Sequence, residues 1–483
     1  MTDRQLTEML HRIADQARPA RVHPDIWPRA RRRRRITTVL AVVAVAVVAG
    51  ALTGTPLLLD RTIPDDFSPA RRDPPVVPST VYPPLTGEDT IVESPPGPAA
   101  IVVSGDEELR GSDIWGWEGR SLVIGRDGGY RLARTVGETT AGMADGLLIS
   151  PDGRQLASQP WLEGASADGG DRTAVFDLTS GKVTEYDGGT PIAWAPDGRS
   201  LLVLPTPSLM PDPEVRQLQL RLLDLTTGTV RELPKIRGTY QPGNFVAFSP
   251  DSARIAVATR DAIHIVDPNR ATVRRLAPLS PGDRLAGPGA WLADGNRIAV
   301  FSTDTCEGDT ACDESALRRR SWQIGYLDVP TGAPVAGPTL PPARGLAARL
   351  LGWQDDGDAV VAVYRPEEGV VKRPDDDSWS ETDWWTVGGV ELMEFRSDGS
   401  QHRLVDLPEN VLFVDVPTRL LDSFGGPSAS WPEGILRRLL AVAWPFGQCL
   451  LFALVVMLAL GSWQHHRRRS ARRASYRGPE QPA

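Results

Sequence analysis

The stretch LLISPDGRQLA at residues 147–157 recurs along the chain and determines the fold. It joins two short apolar runs through a turn in which Pro fixes φ, Asp hydrogen-bonds nearby amides and Gly adopts positive φ. Four further copies read IAWAPDGRSLL at 192–202, VAFSPDSARIA at 246–256, GAWLADGNRIA at 289–299 and LLGWQDDGDAV at 350–360. The aligned turn residues, which we predict to be structural, are Asp152, Asp197, Asp251, Asp294 and Asp356.

A third apolar run with its own turn follows most copies. These runs are VFDLTSG at 175–181, LLDLTTG at 222–228, IVDPN at 265–269 and YLDVPTG at 326–332. A fourth short strand then leads into the next copy. Four strands in each unit of about 40–50 residues are typical of a β-propeller. The sequence therefore predicts an all-β fold with five full blades, which begin near residues 145, 190, 244, 289 and 348.

These units resemble the TolB-type propeller repeat, which is related to the WD repeat, over roughly residues 97–424. The resemblance implies a propeller and does not specify a function. Strand-like pieces remain outside the five blades, at Ala100–Ser104, Ser121–Gly125, Gly129–Arg134 and Asn410–Val416. Together they predict a sixth blade that takes three strands from the front of the domain and one from the back. Such a mixed blade closes the ring and removes its exposed edges.

The long insertions are predicted to lie between the second and third strands of the blades, near residues 105–119, 158–171, 205–214, 303–321 and 365–387. They therefore gather on one face, opposite the face from which both ends of the domain leave. Exposed tryptophans often form binding hot spots. The candidates on this face are Trp115, Trp117, Trp161, Trp379, Trp384 and Trp385, accompanied by Asp375, Asp376, Asp377, Glu381 and Asp383. The alternative is that these rings cover blade edges. Three repeat tryptophans are predicted to be packing residues: Trp194, Trp291 and Trp353.

Two apolar segments of about 20 residues flank this domain, and each is long enough to cross a bilayer as a helix. Ten Arg oppose four acidic residues in residues 1–35, and six Arg oppose one Glu in residues 464–483. Basic flanks stay on the cytoplasmic side. We therefore predict a two-pass protein of the cell membrane with cytoplasmic termini and an extracytoplasmic propeller. A cleaved secretory signal is the alternative for the first segment.

The predicted organisation follows from these boundaries. It comprises a basic cytoplasmic segment at 1–35, a transmembrane helix at 36–59, a Pro-rich extracytoplasmic spacer at 60–96, the propeller at 97–424, a linker at 425–438, a second transmembrane helix at 439–463 and a basic tail at 464–483. Apolar residues at helical spacing in the first segment predict an amphipathic helix that binds a cytoplasmic partner or the membrane surface. Its partner-facing residues are Leu6, Met9, Leu10 and Ile13.

Cysteines and carboxylates offer little catalytic chemistry. Cys306 and Cys312 lie six residues apart in a loop outside the cytoplasm, where an oxidising compartment favours a disulfide. A calcium site is an alternative use of the surrounding carboxylates: Asp304, Glu307, Asp309, Asp313 and Glu314. His264 and His402 are the histidines of the predicted propeller, and neither lies in a nucleophile motif. The chain contains no serine-hydrolase elbow, phosphate-binding loop or zinc-protease motif.

We therefore predict a non-enzymatic binding or scaffold protein that needs no cofactor and no metal. Its propeller is expected to bind a protein, peptide or glycan ligand. The excess of acidic residues between the basic termini argues against nucleic acid as a partner. One alternative is a transmembrane signalling regulator whose N-terminal helix holds a sigma factor or a similar partner. Another is a cell-envelope hydrolase that uses carboxylates of the central channel.

Overall fold

The computed structural model describes residues 77–84, 88–105, 120–133, 147–159, 172–205, 217–238, 245–306, 311–373, 381–382, 385–409, 411–426, 428 and 453–460. The predicted N-terminal helix, the first predicted membrane segment and both basic tails lie outside these ranges. Only residues 453–460 of the second predicted segment are described, and they are helical. None of the helices in the described ranges has the length and hydropathy needed to cross a bilayer. The two-pass topology stays a prediction.

Six antiparallel sheets, five with four strands and one with five, form the blades of a propeller, which confirms the predicted fold. The blades are numbered in chain order, and their strands are given from the innermost outward. Blade 1 contains Leu147–Ile149, Gln155–Ser158, Arg172–Asp177 and Val183–Asp187. Blade 2 contains Thr190–Trp194, Ser200–Leu204, Arg221–Asp224 and Thr229–Glu232. Blade 3 contains Val246–Phe248, Ile255–Ala258, Ala262–Asp267 and Thr272–Pro278.

The remaining blades include the mixed one. Blade 4 contains Asp283–Leu285, Arg297–Ser302, Ser321–Asp328 and Pro334–Val335, and Ala343–Arg344 also pairs with its third strand. Blade 5 contains Ala347–Trp353, Ala359–Pro366, Val387–Phe395 and Gln401–Val405. The closing blade contains Val411–Asp415, Ala99–Gly105, Arg120–Gly125 and Tyr130–Leu132. Its innermost strand thus comes from the end of the domain and its other three strands come from the beginning, as predicted.

Short elements complete the described structure. Two-residue ladders join Val77–Pro78 to Phe424–Gly426, Gln217–Leu218 to Ile236–Arg237, and Cys312–Asp313 to Val371–Lys372. An α-helix spans Glu314–Arg319, and a 3₁₀ turn spans Thr418–Leu420.

The repeated aspartates hold the turns between the first and second strands. In each turn the carboxylate Oδ1 accepts a hydrogen bond from the backbone N–H two residues later, at 2.8–3.1 Å. The residue after each Asp has positive φ, which is why Gly recurs there. Ser252 is the exception in the third copy, with φ of 60°.

The repeat tryptophans connect neighbouring blades, which agrees with their predicted packing role. Each indole N–H donates to a carbonyl on the inner side of the preceding blade. The pairs are Trp194 with Leu148 at 3.1 Å, Trp291 with Ala247 at 3.0 Å, and Trp353 with Gly289 at 2.9 Å. A buried indole N–H needs such a partner. The tryptophans therefore contribute apolar area and one directional bond at each contact.

Blade 4 departs from the expected boundary. Its innermost ladder lies at Asp283–Leu285, whereas the repeat predicted a start near residue 289. Trp291 forms only a single bridge with Ile298. The reason is a close approach between blades, since a Cβ on Gly289 would lie 2.5 Å from the backbone of blade 5. This segment therefore bonds to the inner strand of blade 5, where Gly289 N donates to Leu350 O at 2.9 Å. It also keeps a bond to its own blade, in which Ala299 N donates to Ala290 O at 2.7 Å.

Candidate functional site

In each blade the second strand ends and the third strand begins on the same face of the ring, here called the insertion face. Because neighbouring strands are antiparallel, every connection between a second and a third strand ends on the same side. The strand bounds place these connections at residues 106–119, 159–171, 205–220, 303–320 and 367–386. The chain joins the ring on the opposite side, where Ala99 N donates to Gly153 O and Arg419 N donates to Pro151 O. The insertion face is thus the side away from both ends of the propeller.

The predicted binding tryptophans fall mostly outside the described ranges. Trp115, Trp117, Trp161, Trp379 and Trp384 all lie in the parts of the insertions that the structure does not describe. Trp385 is described and is 51 % exposed, at the end of the blade 5 insertion. Its position on the insertion face follows the prediction, and its role in binding stays a prediction.

The insertion of blade 4 is cross-linked and paired with the insertion of blade 5. A disulfide joins Cys306 and Cys312, with their Cα atoms 5.7 Å apart. Cys312–Asp313 forms the antiparallel ladder with Val371–Lys372. Lys372 Nζ also donates to Cys306 O at 3.0 Å. Covalent, backbone and side-chain bonds therefore meet where the two insertions touch.

The short helix Glu314–Arg319 adds a second connection between the same insertions. The Asp313 carboxylate caps it by accepting from Ala316 N at 2.9 Å, and this bond lowers the pKa of Asp313. Glu314 Oε2 accepts from Gly369 N of the blade 5 insertion at 2.9 Å. The acidic residues of this loop thus serve as a helix cap and as a bridge. Among the described residues, no group of three or more potential metal ligands comes together.

Glu381 corrects one expectation from the sequence. We predicted it among the acidic residues of an exposed loop, yet only 6 % of its surface is exposed. Its Oε1 lies 2.9 Å from Arg284 Nη2 and 3.2 Å from Arg320 Nη1. Burial alone would raise the pKa of Glu381, but the two guanidinium groups outweigh it and hold the pKa at about 2. Glu381 therefore carries a full negative charge inside the protein.

Arg320 is the centre of this ion-pair cluster, which consists of Arg284, Arg320 and Glu381. Its side chain is fully buried, and it donates to Thr305 O at 3.1 Å and to Leu346 O at 3.2 Å. Its guanidinium lies 4.2 Å from the centroid of the Trp322 ring. No local pattern indicates this role, because Arg320 ends a run of three arginines, and such a run is typical of a solvated surface.

A second buried ion pair lies on the inner strands at the ring closure. Arg349 Nη2 is 3.7 Å from Asp415 Oδ1, and Asp415 Oδ2 accepts from Ile149 N at 3.3 Å. Arg349 also donates to Val414 O at 3.2 Å. Burial raises the pKa of Asp415, although Arg349 opposes the shift. The inner strands of blade 5, the closing blade and blade 1 are thereby joined through side chains that sequence inspection did not single out.

The two histidines occupy ordinary positions. His264 is 8 % exposed, and its Nε2 lies 3.4 Å from Thr259 Oγ1. Burial lowers the pKa of His264. His402 is exposed, with its Nε2 3.2 Å from Ser400 Oγ. Their contacts are those of packing and surface residues, as expected from the sequence.

Comparison with known proteins finds similar folds among solved structures. No family model and no curated protein matches the chain. The putative TolB from Agrobacterium tumefaciens is 14 % identical over 66 % of this chain and 98 % of that chain, with a TM-score of 0.33. The oligogalacturonate lyase from Vibrio parahaemolyticus is 14 % identical over 69 % and 80 % of the two chains, with a TM-score of 0.38. The propeller domain of the Trilobed protease from Pyrococcus furiosus is 12 % identical over 55 % and 85 %, with a TM-score of 0.31. The fold assignment rests on the six sheets described above.

Proposed function

We propose that this chain is a non-enzymatic propeller of the TolB type, anchored in a membrane, that binds a protein, peptide or glycan ligand on its insertion face. The observation that carries the proposal is the way in which the insertions of blades 4 and 5 are held together. A disulfide, a backbone ladder, a capped helix and a buried ion-pair cluster all act on these two connections. Together these contacts hold the two connections in one arrangement.

Rigid loops favour binding for a physical reason. Association must offset the entropy lost when side chains and loops become ordered, and a surface that is ordered in advance avoids part of that loss. Trp385 lies on this constrained segment and is half exposed. An aromatic ring in such a position offers a large apolar area with few rotatable bonds, which suits contact with a peptide or a sugar.

Membrane anchoring is supported by the two apolar segments of the sequence and by the described residues 453–460. In this helix the side chains of Val455, Met457, Leu458 and Leu460 are 52–63 % exposed. Adjacent exposed apolar residues are unfavourable in water and favourable in lipid. The orientation follows from the arginine-rich tails.

The topology can be tested with reporter fusions in the full chain. A reporter that is active only in the cytoplasm should work when fused after residue 20 or residue 475, and it should be silent when inserted at residue 260. Activity at residue 260 would contradict the two-pass arrangement. The assignment of the propeller fold would still stand, because it rests on the six sheets.

Ligand binding can be tested with the purified full chain in detergent, using glycan and peptide arrays as probes. Trp385→Ala should weaken capture of the best probe about tenfold, which corresponds to roughly 1.4 kcal/mol for a hot-spot residue. Its melting temperature should stay unchanged. Val230→Ala is the matched control, because Val230 is an exposed apolar residue on the outer strand of blade 2, at 38 % exposure. A Trp385→Ala protein that melts earlier yet binds as before would show that the ring only covers a blade edge.

A further inference from the structure

Part of the predicted Pro-rich spacer lies on the propeller and runs across the closing blade. Residues 77–84 and 88–98, here called the strap, precede the first propeller strand. Val77, Val81 and Ile91 of the strap are 0–2 % exposed. Proline-rich chain is extended, so alternate apolar side chains can still be buried against a blade. The strap therefore begins on the ring about 20 residues before the first strand.

The first piece of the strap holds the segment by which the chain leaves the propeller. Val77–Pro78 pairs in parallel with Phe424–Gly426. Val77 N donates to Ser423 O at 2.6 Å, and Ser79 N donates to Gly426 O at 3.2 Å. Ser79 Oγ lies 3.1 Å from Ser428 Oγ. The chain thus arrives at the ring and leaves it as adjacent, hydrogen-bonded segments.

The strap then crosses both boundaries of the closing blade. At blade 5, Asp406 N donates to Ser79 O at 2.8 Å, and Val81 N donates to Asp406 O at 2.9 Å. On the outer strand of the closing blade, Leu132 N donates to Asp89 O at 2.9 Å.

At blade 1, Gly97 N donates to Leu178 O at 2.9 Å. One continuous region of the chain therefore bonds to three successive blades. The middle one of these is the blade whose strands come from both ends of the domain.

We propose that the strap is a latch that couples the two ends of the propeller to its ring closure. Displacing the strap, by tension on the preceding chain or by a partner that takes up residues 77–84, releases the exit segment 423–428 and the edges of the closing blade together. The blades on the other side of the ring keep their own contacts and stay folded. The latch is thus a cooperative unit of lower stability than the ring as a whole.

Hydrogen exchange on the full chain in detergent tests the latch. Val81→Asp places a charge in a buried strap position and should lift the strap. The amides of Asp406 and Leu132, which donate to strap carbonyls, should then exchange at least tenfold faster. Exchange in blade 3, at residues 255–267, should not change. Val230→Asp makes the same replacement at an exposed valine and should alter neither region. Equal acceleration in every blade, or none at Asp406, would overturn the proposal.

A cross-link provides an independent test if Val81→Asp does not fold. The double variant Ser79→Cys/Ser428→Cys should form an intrachain disulfide on mild oxidation, since the two side-chain oxygens are 3.1 Å apart. The oxidised protein should exchange the amide of Asp406 more slowly than the same protein before oxidation, with the Cys306–Cys312 disulfide intact in both. Failure to form the disulfide would show that the exit segment does not lie beside the strap. A disulfide without slower exchange would show that the two ends are adjacent but not coupled to the closure.

Discussion

Replacing Glu381 with Gln should loosen the contact between the insertions of blades 4 and 5. The substitution keeps the size of the side chain and one carbonyl acceptor, but it removes a carboxylate that contacts both Arg284 and Arg320. Arg320 keeps its bonds to two backbone carbonyls and its position over Trp322. Its charge, which is fully buried, then loses the carboxylate of Glu381 as a counter-charge at 3.2 Å.

The size of the effect follows from the pKa of Glu381. A fall from 4.5 to about 2 corresponds to roughly 3 kcal/mol, at about 1.4 kcal/mol for each pH unit. Removal of one partner from a buried ion pair typically costs about 3–5 kcal/mol, which agrees. For a propeller of this size we expect the melting temperature to fall by about 6 °C, at about 2 °C for each kcal/mol.

The same pair predicts a pH dependence. The pKa of Glu381 is lower in the folded protein than in the unfolded chain, so the unfolded chain binds the proton more readily. The contribution to stability is therefore complete above about pH 4.5 and is lost as the pH falls towards about 2. Glu381→Gln should remove this part of the acid sensitivity, because the amide does not titrate.

Thermal unfolding from pH 7 to pH 2.5, together with hydrogen exchange at residues 311–316 and 369–373, measures both effects. Glu391→Gln is the matched control. Glu391 makes the same kind of contact with Arg403 at 2.7 Å in blade 5, but with side chains that are 29 % and 53 % exposed. Such a pair contributes about 0–1 kcal/mol. Equal changes for the two variants would refute the conclusion that the buried cluster holds the insertions together.

Three further predictions concern local features. Ser252→Gly should raise the free energy of unfolding by about 0.5 kcal/mol, because the gain from relieving a non-glycine residue at φ of 60° exceeds the loss from a more flexible unfolded chain. A lower melting temperature would contradict this. Trp291→Phe should lower the free energy of unfolding by about 2 kcal/mol in denaturant titration, because a buried carbonyl of blade 3 loses its donor; an unchanged midpoint would count against the role of the indole. Alkylation should label neither Cys306 nor Cys312 before reduction, and loss of the bridge should cost at most roughly 2 kcal/mol because the closed loop is short; labelling of the unreduced protein would contradict the disulfide.

The sequence alone was sufficient for the propeller, its six blades and its mixed closure. Each of these depends on local chemistry that repeats. In each copy the Asp of the turn accepts from the backbone N–H two residues later and is followed by a residue with positive φ, so the same turn forms five times. Alternating apolar residues likewise indicate a strand in any blade. The strand Val411–Asp415 could be assigned to the closing blade because a ring with three leftover strands at one end needs a fourth from the other. The packing role of the repeat tryptophans followed from their register within the innermost strands.

Only the tertiary structure decided the features that join distant parts of the chain. Glu381 and Arg284 are 97 residues apart in sequence, and neither carries a local signal that it will be buried beside the other. The prolines of the strap predict a free spacer, whereas its apolar residues are buried: Val77 and Val81 pack with residues of blade 5 and the closing blade, and Ile91 packs with the closing blade and blade 1. The same applies to Arg349 and Asp415. Periodic patterns report which face of a strand is apolar, but the partner of a buried charge is set by how blades meet in space, and no spacing in the sequence encodes that geometry.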